Sequence, residues 1–349
     1  MIYKQTEILM QRTFVLALLA LPLLSAVRPE DSYDLTPRFE EGQSYLTNTT
    51  IAGTYELDEA SVLMNGFDML EGGAALDGSF GFENTQTEEV LELRDGKVSK
   101  LRRTIDAEDF EYAVEFDVMG ESNSDEGSES GALVGRTLEI SVDEDGEVSV
   151  LDVTDGDLEP ADSDALAEHD LEGMGGQETL PDEPVEIGDS WDIATDKDEM
   201  FAVFREGVME GAEGDANSAD IAAVVDILLS NSSLEATGTL VDVEGKVAQI
   251  EWSITAEMIV DDLTEILLAI ADPEEIGEIP AGVNSNFSVQ LSIEAAGSFD
   301  LTLHQLTEVK ATIEFSMEAG AAFSEDEMEL DAGALLSGTF ELVHTTELL

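Results

Sequence analysis

Apolar and polar residues alternate along much of this chain. Glu88-Glu89-Val90-Leu91-Glu92-Leu93-Arg94 runs into Asp95-Gly96, and Lys97-Val98-Ser99-Lys100-Leu101 resumes beyond it. Asp-Gly between alternating runs is a strong hairpin signal, because both turn positions tolerate positive φ. Leu138 to Val142, the turn Asp143-Glu144-Asp145-Gly146 and Val148-Ser149-Val150 repeat the pattern, and Glu244-Gly245 precedes Val247 to Ile254. Phe287 to Ile293, Phe299 to Leu303, Val309 to Met317 and Thr339 to His344 alternate as well. A period of two puts one face in a core and the other in water. Strands joined this way form an antiparallel meander.

A helical period interrupts the strands. Ile221, Val224, Val225 and Leu228 predict a helix near residues 218–230, with Asn217 as its cap. Ile259, Val260, Leu263, Ile266, Leu267 and Ile270 predict a second near residues 257–271, stopped by Asp272-Pro273. A weaker stripe spans Ala60 to Leu70. The low-complexity stretch ESNSDEGSESG (121–131) reads as a loop, and residues 155–184 as an acidic connector with a short helix around Ala165.

Two stretches share one pattern. Phe39-Glu40-Glu41-Gly42-Gln43-Ser44-Tyr45 matches Val185-Glu186-Ile187-Gly188-Asp189-Ser190-Trp191, and Gly96-Lys97-Val98 is echoed downstream by Gly245-Lys246-Val247. Two ordered matches point to an internal duplication. LPDEPVEIGDSWDI (180–193) is then the entry to the second half, with Trp191 as the inward counterpart of Tyr45. The expected fold is α+β, mainly antiparallel β, in two related halves. Each half is a curved sheet packed on an amphipathic helix, and completing a closed core is the simpler use of such helices. The expected divisions are a signal peptide over 1–26, an N-terminal β-rich half over 27–178 and a C-terminal β-rich half over 179–349.

The signal peptide rests on Met10-Gln11-Arg12, an apolar run from Phe14 to Leu24 and small residues at Leu24-Ser25-Ala26. The run is shorter than the roughly 20 residues that cross a bilayer, so cleavage near Ala26 and a periplasmic or extracellular location are expected. No membrane span is expected in the mature chain. Met10 suits the start of such a segment better than Met1. Cysteine is absent, which removes disulfides, thiol catalysis and thiolate metal sites. Export without disulfides suits a bacterium.

Charge changes the picture most. Lys+Arg number 14 against 80 Asp+Glu, a formal net charge of −66. Such a field repels nucleic acid and anionic membranes, and it repels itself. The acids are spread along the chain, as in a surface adapted to saline surroundings; cation binding is the alternative use. Screening relieves self-repulsion within a Debye length of about 8 Å at physiological salt. The unfolding midpoint is therefore expected to rise with sodium chloride. A flat response up to molar salt contradicts this.

Catalytic patterns are scarce. His169, His304 and His344 are far apart in sequence and form no paired-His zinc spacing; His304 and His344 fall in strand patterns, where a structural role is the simpler expectation. No nucleophile elbow, phosphate loop or dinucleotide fingerprint occurs. Ser141, Asp143, Asp145 and Gly146 echo a calcium loop, but position twelve is Asp152 and the flanks read as strands, so a plain hairpin is preferred. Carboxylates are too abundant for any pair to mark a hydrolase. No catalytic residue, metal ligand or cofactor is assigned, and sequence fixes no binding residues.

Gly42 to Tyr45, Asp145-Gly146-Glu147-Val148 and Pro184-Val185 to Trp191 together resemble a group of uncharacterised exported bacterial β-rich proteins. That resemblance implies export and a β-rich fold, and no reaction. The expected architecture also looks like the periplasmic lipoprotein carriers, whose half-barrels shelter acyl chains. The leading expectation is an exported, non-catalytic protein binding a lipid or other apolar ligand. An acidic, cation-dependent surface or structural protein comes second and a carboxylate hydrolase last. The candidate partners are thus an apolar ligand or cations, and not nucleic acid.

Overall fold

A computed structural model describes residues 32–70, 74–94, 96–118, 121–131, 133–142, 148–154, 181, 183–193, 230–260, 284–325 and 328–349. Among the described residues fifteen strands form: β1 (Ser32–Tyr33), β2 (Ser44–Met64), β3 (Phe67–Asp68), β4 (Ala74–Arg94), β5 (Lys97–Val118), β6 (Glu121–Ser130), β7 (Thr137–Val142), β8 (Val148–Thr154), β9 (Val185–Glu186), β10 (Ser190–Asp192), β11 (Ser232–Glu244), β12 (Val247–Val260), β13 (Asn284–Asp300), β14 (Gln305–Glu325) and β15 (Met328–Leu348). β1 and β9 make a small pair. The others build one antiparallel sheet in the order β10-β11-β12-β13-β14-β15-β2-β4-β5-β7-β8, with β3 on β2 and β6 on β5.

This corrects the α+β expectation. Among the described residues the protein is all-β, with no helical element packed on a sheet. Nor do the two halves own separate sheets: β15 pairs with β14 on one side and β2 on the other, fusing them edge to edge. The helix expected near 257–271 fails at its start, because β12 continues to Val260 with Ala256, Met258 and Val260 buried and Ile259 exposed. The period of two already running from Val247 wins there. The rest of that helix, nearly all of the one near 218–230 and the Ala165 segment lie outside the described residues.

Residues 60–70 are a hairpin, not a helix. β2 runs to Met64, Asn65 and Gly66 turn with φ of 52° and 78°, and β3 returns. Asn-Gly with both φ positive is the turn that matches strand twist. Residues 121–130 are strand β6 rather than loop, paired with β5 from Glu121–Val118 to Ser130–Asp109. β13 ends at Asp300, and residues 301–304 turn, so Leu301–Leu303 and His304 are not in a strand. Burial works to raise the Asp300 carboxyl, but the Leu303 and Thr302 N–H groups, the Thr302 hydroxyl and Lys246 together hold it below its ordinary value.

Tyr45 and Trp191 both follow a turn of one design. Gly42 and Gly188 have φ of 83° and 93°. Their N–H groups donate to the Val90 and Leu240 carbonyls at 2.8 and 2.7 Å. Val90 and Leu240 N–H in turn donate to the Gln43 and Asp189 carbonyls at 2.9 and 3.2 Å. The Gln43 and Asp189 side chains accept from Glu40 and Glu186 N–H at 2.7 and 2.8 Å. From these turns the sheet proceeds in parallel ways: Tyr45 faces Glu88, which faces Arg103, while Trp191 faces Gly238, which faces Trp252.

One face of the sheet is apolar and the other polar. Inward rows cross many strands, such as Trp191–Gly238–Trp252–Ala295–Ala311–Leu342–Ile51–Phe82–Phe110. Glycines lie under inward aromatics: Gly238 under Trp191, Gly53 under Phe340, Gly78 under Tyr55 and Gly338 under Phe315. A missing side chain relieves crowding on that face and lets the sheet curl towards it, while the neighbouring ring covers the gap. Residues 34–43 strap the lower, hairpin-turn end, with Arg38 N–H donating to the His304 carbonyl at 3.2 Å and Leu35 fully buried.

Candidate apolar-ligand surface

Strand direction defines two ends. The lower end holds the β4–β5, β11–β12 and β13–β14 turns; the upper end holds the β2–β3 tip. The inward face differs between them. Its lower part, on the first half, is closed: Tyr45, Val90, Leu101, Ile105, Leu138 and Ile140 pack into an apolar cluster around one buried ion pair. Arg103 Nε donates to Glu88 Oε1 at 2.8 Å, and the pair has side-chain exposures of 0% and 3%. Tyr45 lies beside Glu88 and donates its hydroxyl to Gln43 Oε1. Burial pushes the Tyr45 phenol up to about 12; the Gln305 hydrogen bond opposes this, and the charges of Glu40 and Glu88 add to it. The phenol therefore stays protonated near neutrality and keeps its hydrogen to donate to Gln43.

Two inward rows higher run His344, Thr49, Asn84 and Glu108, paired across four strands. Thr49 Oγ1 lies 3.0 Å from His344 Nδ1, and Asn84 Nδ2 donates to Glu108 Oε2 at 3.1 Å. Burial lowers the His344 imidazole from 6.5 to about 4. The unfolded chain takes this proton as pH falls below 6.5, while the folded chain resists until about 4. His344 thus contributes stability above pH 6.5 that is lost as pH falls towards 4, up to about 3 kcal/mol. His344→Gln should remove that part of the pH dependence in denaturant titrations run from pH 7 to 4. Parallel curves for both proteins contradict the assignment.

The upper inward face is apolar, buried at Met258, Ala256 and Tyr55 and partly exposed at Leu291, Phe315, Met317, Leu336 and Leu57. Met258, Val289, Met317, Leu336 and Leu57 form one row across five strands, and Leu234, Ala256, Leu291, Phe315, Gly338 and Tyr55 form the row beneath. Phe315 stacks on Phe340 at 5.7 Å between centroids, Phe340 meets Phe80 at 6.4 Å, and Phe80 meets Phe110 at 4.9 Å. Leu57, Leu76, Val114, Phe116, Met317 and Leu336 remain partly exposed above these rings. This surface suits burial of an apolar chain.

The residues weighed in the sequence are scattered. His304 lies in the β13–β14 turn and His344 on the inward side of β15; His169 is outside the described residues. Ser141 is on β7 and Asp152 on β8, while Asp143 to Gly146 between them are not described. No group of three metal-ligating side chains occurs among the described residues. The buried Arg103–Glu88 pair was legible, although the sequence reading passed over it. Arg103 sits between Leu101 and Ile105 in the alternation, and Glu88 shares the phase of Val90, so both must point inward.

No protein-family model matches the chain, and no curated protein does. Among solved structures, an outer-membrane channel from Pseudomonas putida F1 aligns at 8% identity over 90% of this chain and 99% of its own, with a TM-score of 0.18. Pseudomonas aeruginosa OccK7 aligns at 6% identity over 89% and 100%, with a TM-score of 0.19. Scores this low carry no argument about fold or function. The polarity here also runs opposite to that of a membrane barrel, which presents an apolar band outward. This sheet turns Thr50, Glu83, Glu111, Glu251, Glu294, Glu314 and Glu341 to solvent. No helix among the described residues is long and apolar enough to cross a membrane.

Proposed function

We propose that this is an exported, non-catalytic binding protein, built on a duplicated strand plan, that shelters an apolar ligand on the upper inward face of its sheet. The observation that carries the reading is the contiguous, partly exposed apolar side chains Leu57, Leu76, Val114, Phe116, Met317 and Leu336 on the upper inward face, backed by an acidic outer face. Contiguous apolar surface left open to solvent marks a ligand or interaction site. Export is supported by the signal-peptide pattern before Ala26, and duplication by the matched Gly42 and Gly188 turns.

The test is titration with a neutral, environment-sensitive naphthylamine dye. Saturable binding near one dye per chain is expected, weakened by Val114→Glu and unchanged by the outward substitution Glu251→Gln. Failure of the dye to bind, or equal loss in both variants, rejects the reading. The acid excess supports a second reading, cation dependence. It requires a melting shift with millimolar calcium that sodium at equal ionic strength does not reproduce.

A further inference from the structure

The upper apolar face does not stop at the edge of the sheet. The pairing of β15 with β2 shifts register between Leu335 and Leu336, leaving Asp58 as the extra residue. The bulge changes which β2 residues share the inward side, so Val62 and Met64 continue the line of Leu57. Across the Asn65-Gly66 turn, Phe67 pairs with Met64, and Met69 N–H donates to the Val62 carbonyl at 2.8 Å. The result is an apolar lip with Phe67 74%, Met69 44% and Met64 40% exposed. The lip is firmly held: Asn65 N–H donates to the Glu329 carbonyl at 2.8 Å, and Glu329 N–H donates back to Asn65 Oδ1 at 2.7 Å. The last β2–β4 pair is Glu56–Asp77, below the lip.

Charge is divided along the same axis. The chain has 14 Lys and Arg; Lys4, Arg12, Arg28, Lys197 and Arg205 lie outside the described residues, which leaves nine. All nine sit at or below the row Lys310–Val343–Thr50–Glu83. Above it the charges described on the sheet are acidic only, including Glu56, Asp58, Asp68, Asp77, Glu115 and Asp331 around the lip. An anionic headgroup arriving with its chain on the apolar face meets repulsion from these described carboxylates, and a cationic one meets attraction.

We propose that the β2–β3 tip is the entry lip for a single-chain amphiphile with a cationic head, its alkyl chain laid on the inward rows and its head at the acidic rim. This inference rests on the apolar-ligand reading above. The test uses the full chain with dodecyltrimethylammonium, dodecyl maltoside and dodecanoate, each below its micelle concentration, by calorimetry at low and high salt. Cationic binding about tenfold or more tighter than anionic is expected, narrowing as salt screens the rim. Met64→Ser with Phe67→Ser leaves the net charge unchanged and should weaken the cationic ligand by about tenfold or more, through lost apolar contact. Ile187→Ser, an exposed apolar residue at the lower end, should have no effect.

Equal affinity for all three heads overturns the headgroup assignment, and full affinity in the lip variant overturns the entry site; either leaves the apolar-ligand reading standing. No binding of any amphiphile defeats both. Lip-dependent flotation with phosphatidylcholine vesicles, without binding of the monomeric amphiphiles, would make the tip a bilayer contact and overturn the proposal.

Discussion

Replacing Arg103 by methionine is expected to destabilise the protein by about 3–5 kcal/mol in urea unfolding, because it strands Glu88 as a buried charge without its partner. Arg103 and Glu88 are both withdrawn from water and joined by a hydrogen bond of 2.8 Å. Removing one member leaves the desolvation of the other uncompensated. Removing both, as Arg103→Met with Glu88→Leu, should recover most of the loss, since apolar residues of similar volume commonly replace such pairs at little cost. The second half shows a fully apolar solution at the matching place, where Trp252 faces Gly238. A double variant no better than Arg103→Met would mean that the pair is needed for more than mutual neutralisation.

The second large effect concerns the glycines beneath inward rings. A Cβ at Gly53 would lie 2.1 Å from Phe340 Cδ1 and 2.4 Å from the Thr339 carbonyl oxygen. Gly53→Ala therefore pushes on backbone as well as ring, and a loss of about 3 kcal/mol, at the upper end of overpacking costs, is expected. At Gly78 the three nearest atoms are all on the Tyr55 ring, at 2.0 to 2.4 Å. Gly78→Ala should be destabilising alone and largely rescued by Tyr55→Leu, whereas Phe340→Leu should rescue Gly53→Ala poorly. Gly81→Ala, whose Cβ would meet only Glu111 Cβ at 4.0 Å, serves as the near-neutral control. Equal losses at the three positions contradict the curvature argument.

Local turn chemistry made much of the sheet readable. The β4–β5 and β11–β12 hairpins carry Gly96 and Gly245 at φ of 85° and 65°, as their sequences demand. Inward and outward residues followed from strict alternation. Three features escaped. Asn65-Gly66 carries the same hairpin signal, but apolar residues at helical spacing on either side masked it. β6 has no apolar alternation at all; it is a strand because β5 offers it backbone partners, and its acids suit a sheet edge. The fusion of the halves depends on β15 pairing with β2, as in Thr339 with Thr54, a contact between distant segments that no local pattern encodes. The ligand surface was foreshadowed only as a class. Its position depends on the Asp58 bulge and on which side chains remain partly exposed, and both are properties of the assembled sheet.

Photolabelling with a diazirine-bearing alkylammonium probe, followed by peptide mapping, tests the binding surface most directly. Adducts are predicted on inward upper residues such as Leu57, Leu76, Val114 and Leu336, with the β2–β3 tip labelled beside them. Adducts confined to the outer face, or spread evenly over both faces, would contradict the account.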